Sequence, residues 1–234
     1  MAKKKSFTEG SFEIPQMERN IKIKRKHKLS EKQAEILQTI LSNEDGIVII
    51  DGPAGTSKTY LAVYAALQDM ANTGKTILYL RSVVENSNRK IGALPGTLYE
   101  KFHPFMAPLE EKMDEFLESQ DIGFLKEHNM VEAKPINYLR GRDWKDKIVI
   151  IDEAQNLTKE ELLTAMTRAN KGTKIIMCGD LMQSDIRDGG YGEVCKKFSG
   201  KDSKKHNIFQ FSFTEKDIVR SELVRFIVTK FKED

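Results

Sequence analysis

The segment that decides the fold is Gly46–Leu61, which has the sequence G-I-V-I-I-D-G-P-A-G-T-S-K-T-Y-L. Its first half contains a continuous β-branched run, Ile47–Ile50, which is typical of a parallel strand covered on both faces. The glycine-rich stretch that follows leads into a helical apolar face from Tyr60 onward. A buried strand, a glycine turn and a helix in this order are close to the phosphate-binding loop G-x-x-x-x-G-K-[ST], so the segment predicts a nucleotide phosphate site.

The chemistry of such a loop assigns roles to its residues. Backbone N–H groups of the turn point at the phosphates, and a helix N-terminus lies behind them. We expect Lys58 to reach the terminal phosphates and Thr59 to place its hydroxyl on Mg²⁺. Ser57 stands where the last loop glycine is usual, and serine accepts a left-handed backbone less readily than glycine. The predicted nucleotide-binding residues of the loop are Gly52, Pro53, Ala54, Gly55, Thr56, Ser57, Lys58, Thr59 and Tyr60.

A second apolar run, which ends in two carboxylates, supplies the other half of the predicted site. The segment Lys147–Gln155 has the sequence K-I-V-I-I-D-E-A-Q, a buried strand followed by Asp152 and Glu153. Two acids in such a place are often just a helix N-cap. These acids follow a phosphate loop by about a hundred residues, which favours a metal ligand and a catalytic partner. We therefore expect Asp152 to hold Mg²⁺ and Glu153 to polarise the water that attacks the γ-phosphate.

Three further polar residues each have two interpretations that local sequence cannot separate. Gln33 completes a predicted helix capping box, and it also precedes the phosphate loop, where it can contact adenine. Arg81 ends the predicted strand Thr76–Leu80 at the sheet edge where ligands gather, but it also fits a solvated arginine. Gln183 follows the predicted strand Thr173–Cys178. It either contacts the γ-phosphate and the attacking water or belongs to a polar loop.

The other apolar runs complete an α/β pattern with a mostly parallel sheet. A helix over Lys159–Ala169 is expected to turn Leu162, Leu163 and Met166 inward. A last strand is predicted at Ile208–Phe213, and an amphipathic helix at Asp217–Phe231. The segment at about 86–145 is less regular, and we interpret it as an insertion.

Composition and charge restrict the class of protein. The 234 residues allow one large domain or two small ones. Two cysteines form no disulfide framework, and no apolar run reaches the roughly 18 residues of a membrane span. No apolar core follows the basic start, so we predict no signal peptide and expect a cytoplasmic location.

The net charge of +3 hides an uneven distribution, because basic residues crowd the N-terminus. Residues 1–28 are polar and without clear period, which predicts a flexible arm. Such an arm either binds nucleic acid through phosphate contacts or acts as a solubilising tail.

Taken together, these segments resemble the PhoH-like protein family and, more widely, the first ATPase domain of superfamily 1 helicases. The resemblance spans roughly residues 29–231 and includes an L-P-G segment, an R-G-R segment and a D-I-V-R segment. The stretches that carry it are G-P-A-G-T-S-K-T at 52–59, R-S-V-V-E at 81–85, G-A-L-P-G-T-L-Y-E-K at 92–101, Y-L-R-G-R-D-W at 138–144, I-I-D-E-A-Q-N at 150–156, G-D-L-M-Q-S-D at 179–185 and D-I-V-R-S-E-L-V at 217–224.

The resemblance implies a RecA-like fold over residues 29–234, with helices on both faces of the sheet, that binds and hydrolyses ATP with Mg²⁺. It also implies links to RNA or to phosphate-starvation responses. The short form, the basic arm and Ser57 look like versions encoded by bacteriophages, which places the protein in the host cytoplasm. Ser82 departs from the family, since a proline is usual after the arginine.

Size implies an oligomer, because a superfamily 1 helicase closes its ATP site with arginines from a second similar domain. We expect a homo-oligomer, which the family suggests is a hexamer. Arg220 is the first candidate for the arginine that completes the site, followed by Arg142 and Arg81. The expected activity is an ATPase that remodels or unwinds RNA or single-stranded DNA. The alternative is a slow nucleotide-dependent switch or assembly factor that acts on a protein partner.

Overall fold

A parallel sheet lies at the centre of the protein in a computed structural model, which describes residues 10–14, 17–24, 28–82, 98–136, 144–183, 189–219 and 222–230. The strands are β1 (Gly10–Ile14), β2 (Met17–Ile23), β3 (Gly46–Asp51), β4 (Thr76–Arg81), β5 (Val131–Pro135), β6 (Lys147–Asp152), β7 (Lys174–Gly179) and β8 (Ile208–Ser212). Within the described ranges, six of them form one parallel sheet in the order β5-β4-β6-β7-β3-β8. Since β7 lies between them, the strand that precedes the phosphate loop and the strand that ends in Asp152 are not direct neighbours.

Helices cover both faces of this sheet. They are α1 (Glu31–Ser42), α2 (Lys58–Thr73), α3 (Leu98–Met113), α4 (Ser119–Glu127), α5 (Lys159–Met166), α6 (Tyr191–Lys197), α7 (Lys201–Lys205) and α8 (Glu222–Lys230). Alternate residues of a strand point to opposite faces, so the continuous apolar runs build two cores. Val48 and Ile50 pack into the core under α1 to α4, whereas Ile47 and Ile49 pack into the core under α5 and α6. The predicted α/β, RecA-like fold is confirmed.

The N-terminal segment differs from its prediction. The prediction of a flexible arm is wrong for β1 and β2, which form an antiparallel hairpin. Ile21 and Ile23 of this hairpin are fully buried in the core that contains α2. The backbone N–H of Lys24 also donates to the carbonyl of Phe116 at 2.9 Å. Two isoleucines that alternate with lysines give too short a pattern to predict a strand from the sequence. Packing against the core is what makes this segment a strand.

Three other predictions need adjustment. Leu163 was expected to face inward, but it is 58% exposed, because the core is filled by its neighbour Leu162. The described part of the segment at 86–145 forms α3, α4 and β5, and β5 pairs with β4. This part therefore belongs to the main sheet. At the C-terminal end, a 3₁₀ turn at Glu215–Asp217 precedes α8 where one continuous helix was predicted.

Within the described ranges, no helix combines the length and the apolar character needed to cross a membrane.

Candidate nucleotide-binding site

A cleft of about 730 Å³ opens at the carboxyl edge of the sheet. It brings together residues from the loop after β3, from the ends of β6 and β7, and from α1. The sequence-predicted residues that line it are Gln33, Ala54, Gly55, Ser57, Lys58, Thr59, Tyr60, Asp152, Glu153 and Gln183. Gly52, Pro53 and Thr56 instead form the body of the loop. Arg220 and Arg142 lie outside the described residues.

The phosphate loop adopts a conformation that its sequence only partly favours. Ser57 has a φ of 64°, the left-handed region that suits the glycine usual at this position. A nearby position shows why another glycine is needed. A Cβ on Gly52 would lie 2.6 Å from the Cβ of Phe213, and Gly52 itself has a φ of 149°. The loop therefore keeps its shape at Ser57 at some cost in backbone strain.

Contacts from three directions hold the loop in place. The Gly52 N–H donates to the carbonyl of Gly179 at the end of β7, at 3.2 Å. The hydroxyl of Thr56, a fully buried residue, donates to the Pro53 carbonyl at 2.8 Å. The Val219 N–H donates to the Gly55 carbonyl at 3.1 Å. These contacts preorganise a turn at the N-terminus of α2, which is a favourable place for an anion.

Lys58 supplies the positive charge of the cleft. It is the first residue of α2, and its Nζ donates to the carbonyls of Gly52 at 2.5 Å and Pro53 at 3.1 Å. Neutral carbonyls leave its charge available to a phosphate. The ammonium group, the turn and the helix N-terminus together fit the phosphates of a nucleoside triphosphate.

Asp152 is held by two hydroxyl groups. Thr59 Oγ1 donates to Asp152 Oδ1 at 2.8 Å, and the Tyr79 hydroxyl donates to Oδ2 at 2.5 Å. Burial and then the charge of Asp152 raise the pKa of Tyr79 far above its ordinary value, so its phenol keeps the proton that it donates. A hydroxyl and a carboxylate are hard oxygen ligands, so Thr59 and Asp152 fit Mg²⁺.

Glu153 follows directly and has a φ of 53°, so the chain turns sharply after β6. Its Oε2 accepts a hydrogen bond from Nε2 of Gln155 at 2.6 Å, and its Oε1 lies 3.9 Å from Nη2 of Arg81. Arg81, at the end of β4, therefore lies next to Glu153 of the cleft. The other end of the Gln155 amide accepts a hydrogen bond from the Asp180 N–H at 3.1 Å. One side chain thus joins the acid pair to the loop after β7.

The loop after β7 is built around two buried acids. Asp180 Oδ1 accepts from the Met182 N–H at 2.9 Å, and Asp51 Oδ1 accepts from the Leu181 N–H at 3.0 Å. Burial raises the pKa of Asp51, and the charge of Asp180 adds to this effect. Gln183 follows Met182 in the chain, and its exposed side chain lines the cleft. Its contact with a phosphate or a water stays a prediction.

Gln33 combines its two interpretations. Its Oε1 accepts from the Ser30 N–H at 3.0 Å and its own N–H donates to Ser30 Oγ at 3.2 Å, so the capping box is confirmed. The same residue is buried at the wall of the cleft. Contact with adenine stays a prediction.

Sequence reasoning assigned no role to several residues of the site. Tyr79 is one of them, because it lies in an apolar strand and its partner Asp152 is 73 residues away in the chain. Gln155 lies two positions after the predicted Glu153, and Asp180 lies three positions before the predicted Gln183. The polar letters of D-E-A-Q and G-D-L-M-Q were therefore the available signal.

Three features define the class of protein. The sheet is parallel, a phosphate loop joins β3 to the N-terminus of α2, and an acid pair ends β6, which is separated from β3 by β7 alone. Together they define a P-loop NTPase. The chain belongs to the PhoH-like protein family, whose model matches residues 25–232.

Curated relatives agree with this family. A PhoH-like protein of Synechocystis sp. is 37% identical over 155 residues, which cover 66% of this chain and 47% of the relative. A PhoH-like protein of Bacillus subtilis is 36% identical over 184 residues, with 77% and 56% covered. The chain thus spans about half the length of the curated relatives it matches. Among solved structures, the Pif1 helicase from Candida albicans matches with a TM-score of 0.38 and 19% identity over 80% of this chain and 40% of that chain.

Proposed function

We propose that this protein binds ATP with Mg²⁺, hydrolyses ATP, and couples hydrolysis to the remodelling or unwinding of RNA or single-stranded DNA as an oligomer. One observation carries the proposal: Lys58, Thr59, Asp152 and Glu153 line one cleft. These are the cation, the hydroxyl and the two carboxylates that phosphoryl transfer to water requires.

Each of these residues has a role that follows from its contacts. Lys58 exchanges the carbonyls of Gly52 and Pro53 for phosphate oxygens. Thr59 and Asp152 are the residues that would hold Mg²⁺, which supplies positive charge to the phosphates when bound. Glu153 accepts a proton from the attacking water, with its carboxylate oriented by Gln155.

Exposed basic residues support a nucleic acid partner. Lys22, Lys24 and Lys28 are exposed near the start of the domain, and Lys28 also lines the cleft. Such residues bind phosphates without regard to sequence. Arg140 and Arg142 of the R-G-R segment are further candidates from the sequence.

Exposed apolar residues support contact with another protein. Val219 lines the cleft and is 62% exposed, and the loop after β7 exposes Leu181 and Met182 at 46% and 68%. A second copy of the chain on this surface fits the proposed homo-oligomer, a hexamer in which Arg220 completes a site. The same exposed residues favour a second candidate function, a switch or assembly factor that acts on a different protein.

Steady-state ATP hydrolysis separates the two functions. The rate is measured with Mg²⁺, with and without single-stranded RNA or DNA, over a range of protein concentration. Stimulation by one polymer, with specific activity that rises with concentration, supports the oligomeric ATPase on nucleic acid. A slow rate that neither polymer changes supports the switch.

A further inference from the structure

The cleft is larger than the phosphate site that it contains. A volume of about 730 Å³ accommodates a whole nucleotide, of which the phosphates are only one end. The residues with proposed roles toward the phosphates are Lys58, Thr59, Asp152 and Glu153, which lie at the start of α2 and at the end of β6. The nucleoside is therefore expected in the part of the cleft that other residues line.

A second wall of the cleft forms where the start of α1, the first turn of α2 and the end of α3 meet. The residues of this wall are Leu29, Gln33, Tyr60, Lys112 and Glu115. The ring centroids of Tyr60 and Phe116 are 4.7 Å apart, so α2 contacts the chain just after α3. Tyr60 follows Thr59 in the sequence, so this wall begins directly beside the phosphate site. It is suitably placed for the nucleoside of a bound nucleotide.

Glu115 differs from the other acids of the cleft. Within the described ranges four acids line it, and Asp152, Glu153 and Asp180 all follow from β6 and β7. Glu115 instead follows α3, and its Oε1 accepts a hydrogen bond from Lys112 Nζ at 3.0 Å. Both side chains are 28% exposed, so the pair is accessible to a ligand. The bond to lysine orients the carboxylate and leaves Oε2 as an acceptor.

A carboxylate offers only acceptors, and this restricts what it binds on a nucleotide. It repels phosphates and pairs with donors, which on the nucleoside of ATP are the ribose hydroxyls and the adenine amino group. Acids that contact a ribose hydroxyl recur in nucleotide-binding α/β folds. Gln33 of the same wall is the predicted adenine contact, which leaves the ribose to Glu115.

We propose that Glu115 Oε2 accepts a hydrogen bond from a ribose hydroxyl of the bound nucleotide, and that the cleft therefore selects ribonucleotides over deoxyribonucleotides. This inference rests on the proposed function and adds a determinant of substrate specificity to it. Lys112 acts as a positioning residue, because it holds the other oxygen of the same carboxylate.

The test is equilibrium binding to the full chain with Mg²⁺, measured by calorimetry. The ligands are ADP, 2′-deoxy-ADP and 3′-deoxy-ADP, which require no hydrolysis. We expect the original protein to bind at least one deoxy form about three- to tenfold more weakly than ADP, since a partly exposed bond to a carboxylate is lost. Glu115→Ala should weaken ADP binding by a similar factor and bind all three ligands within about twofold of one another. Glu115→Gln keeps an acceptor without the charge, so its discrimination should be intermediate.

The matched control is Glu111→Ala. It removes the same side chain from α3 at an exposed position that does not line the cleft. Its preference for ADP over the deoxy forms is expected to equal that of the original protein. Thermal melts of the three variants check that each is folded before its binding is compared.

Three results overturn the inference. The first is an original protein that binds ADP and both deoxy forms equally. The second is a Glu115→Ala variant that still discriminates, or that binds all three ligands more weakly by the same factor. The third is a Glu115→Ala variant that loses only its preference for ADP over inosine diphosphate, which would assign Glu115 to the adenine amino group. Each of these leaves the proposed function intact, because ADP still binds. If the original protein binds neither ADP nor ATP, the proposed function fails and this inference fails with it.

Discussion

Buried charged side chains lie both at the amino ends of the parallel strands (the amino edge of the sheet) and at their carboxyl ends (the carboxyl edge). The two edges differ in what these side chains contact. At the amino edge, Lys174 Nζ lies 2.9 Å from Asp69 Oδ2, with side-chain exposures of 2% and 3%. Burial lowers the pKa of Lys174, and Asp69 opposes this shift. At the carboxyl edge, Asp152 and Asp180 are 6% and 5% exposed, but their partners are neutral hydroxyl and N–H groups.

The difference shows which buried charges serve the fold and which serve a ligand. An ion pair compensates both of its charges, and removing one partner leaves the other uncompensated. Neutral donors orient a carboxylate without cancelling its charge, so the carboxyl edge keeps negative charge, which the proposed binding of Mg²⁺ requires. The amino edge should therefore control stability, and the carboxyl edge should control nucleotide chemistry.

The largest expected effect is at the carboxyl edge. Lys58→Ala removes the cation that we propose contacts the phosphates, and we expect ATP hydrolysis to fall by about a hundredfold or more. Stability should change little, because the lysine bonds only loop carbonyls. Steady-state hydrolysis and urea denaturation measure the two quantities. An unchanged rate would refute the assignment of the site.

The converse experiment is at the amino edge. Lys174→Met leaves the Asp69 carboxylate buried and unpaired, so the free energy of unfolding should fall by about 3–5 kcal/mol. Affinity of the folded protein for an ATP analogue should stay the same. The double variant Lys174→Met with Asp69→Leu removes both charges and should recover most of the stability. Failure of the double variant to recover would show that packing, and not charge, dominates there.

Tyr79→Phe tests the neutral donors of Asp152. The loss of one hydrogen bond to a carboxylate is worth about 1.5–3 kcal/mol. Part of it should appear as a three- to tenfold rise in the Mg²⁺ concentration needed for half-maximal hydrolysis, because Asp152 is less well oriented. A Mg²⁺ titration of both proteins measures this. An unchanged titration would mean that Thr59 alone orients the carboxylate.

The same tyrosine predicts a pH dependence. Its pKa is raised in the folded protein, so its contribution to stability is complete below pH 10, the ordinary value, and is lost as the pH rises above it. Each such group changes the unfolding free energy by at most about 1.4 kcal/mol per pH unit. Urea denaturation between pH 9 and 11 should show a shallower loss in Tyr79→Phe. Equal slopes would contradict the assignment.

The smallest effect concerns the strained loop. Ser57→Gly relieves a left-handed serine, worth about 1–2 kcal/mol, but glycine adds entropy to the unfolded chain. We expect a net gain in unfolding free energy of at most about 1 kcal/mol. Ser57→Val should instead lower stability, because a β-branched residue is strongly disfavoured at this φ. A gain with valine would argue against strain.

Much of the fold could be predicted because its signals are local. The apolar runs of β3, β6 and β7 are short, continuous and bounded by polar or glycine residues, and all three lie in the middle of the sheet. The capping box at Thr158–Glu161 depends on residues three positions apart, and like the one at Ser30 it is present. The prediction for Leu163 is wrong, because the helical period of apolar residues does not determine how much of the surface of α5 is buried.

Local patterns in the sequence were enough to place the strand, loop and helix of Gly46–Leu61 and the acid pair Asp152 and Glu153, because hydrophobic period and loop chemistry act between near neighbours in the chain. Tertiary structure alone decided that β1 and β2 pack on the core, that Tyr79 reaches Asp152, and that Gln155 joins Glu153 to Asp180. The long-range contacts depend on strand order and on packing between distant parts of the chain. Neither is encoded in any short stretch of residues.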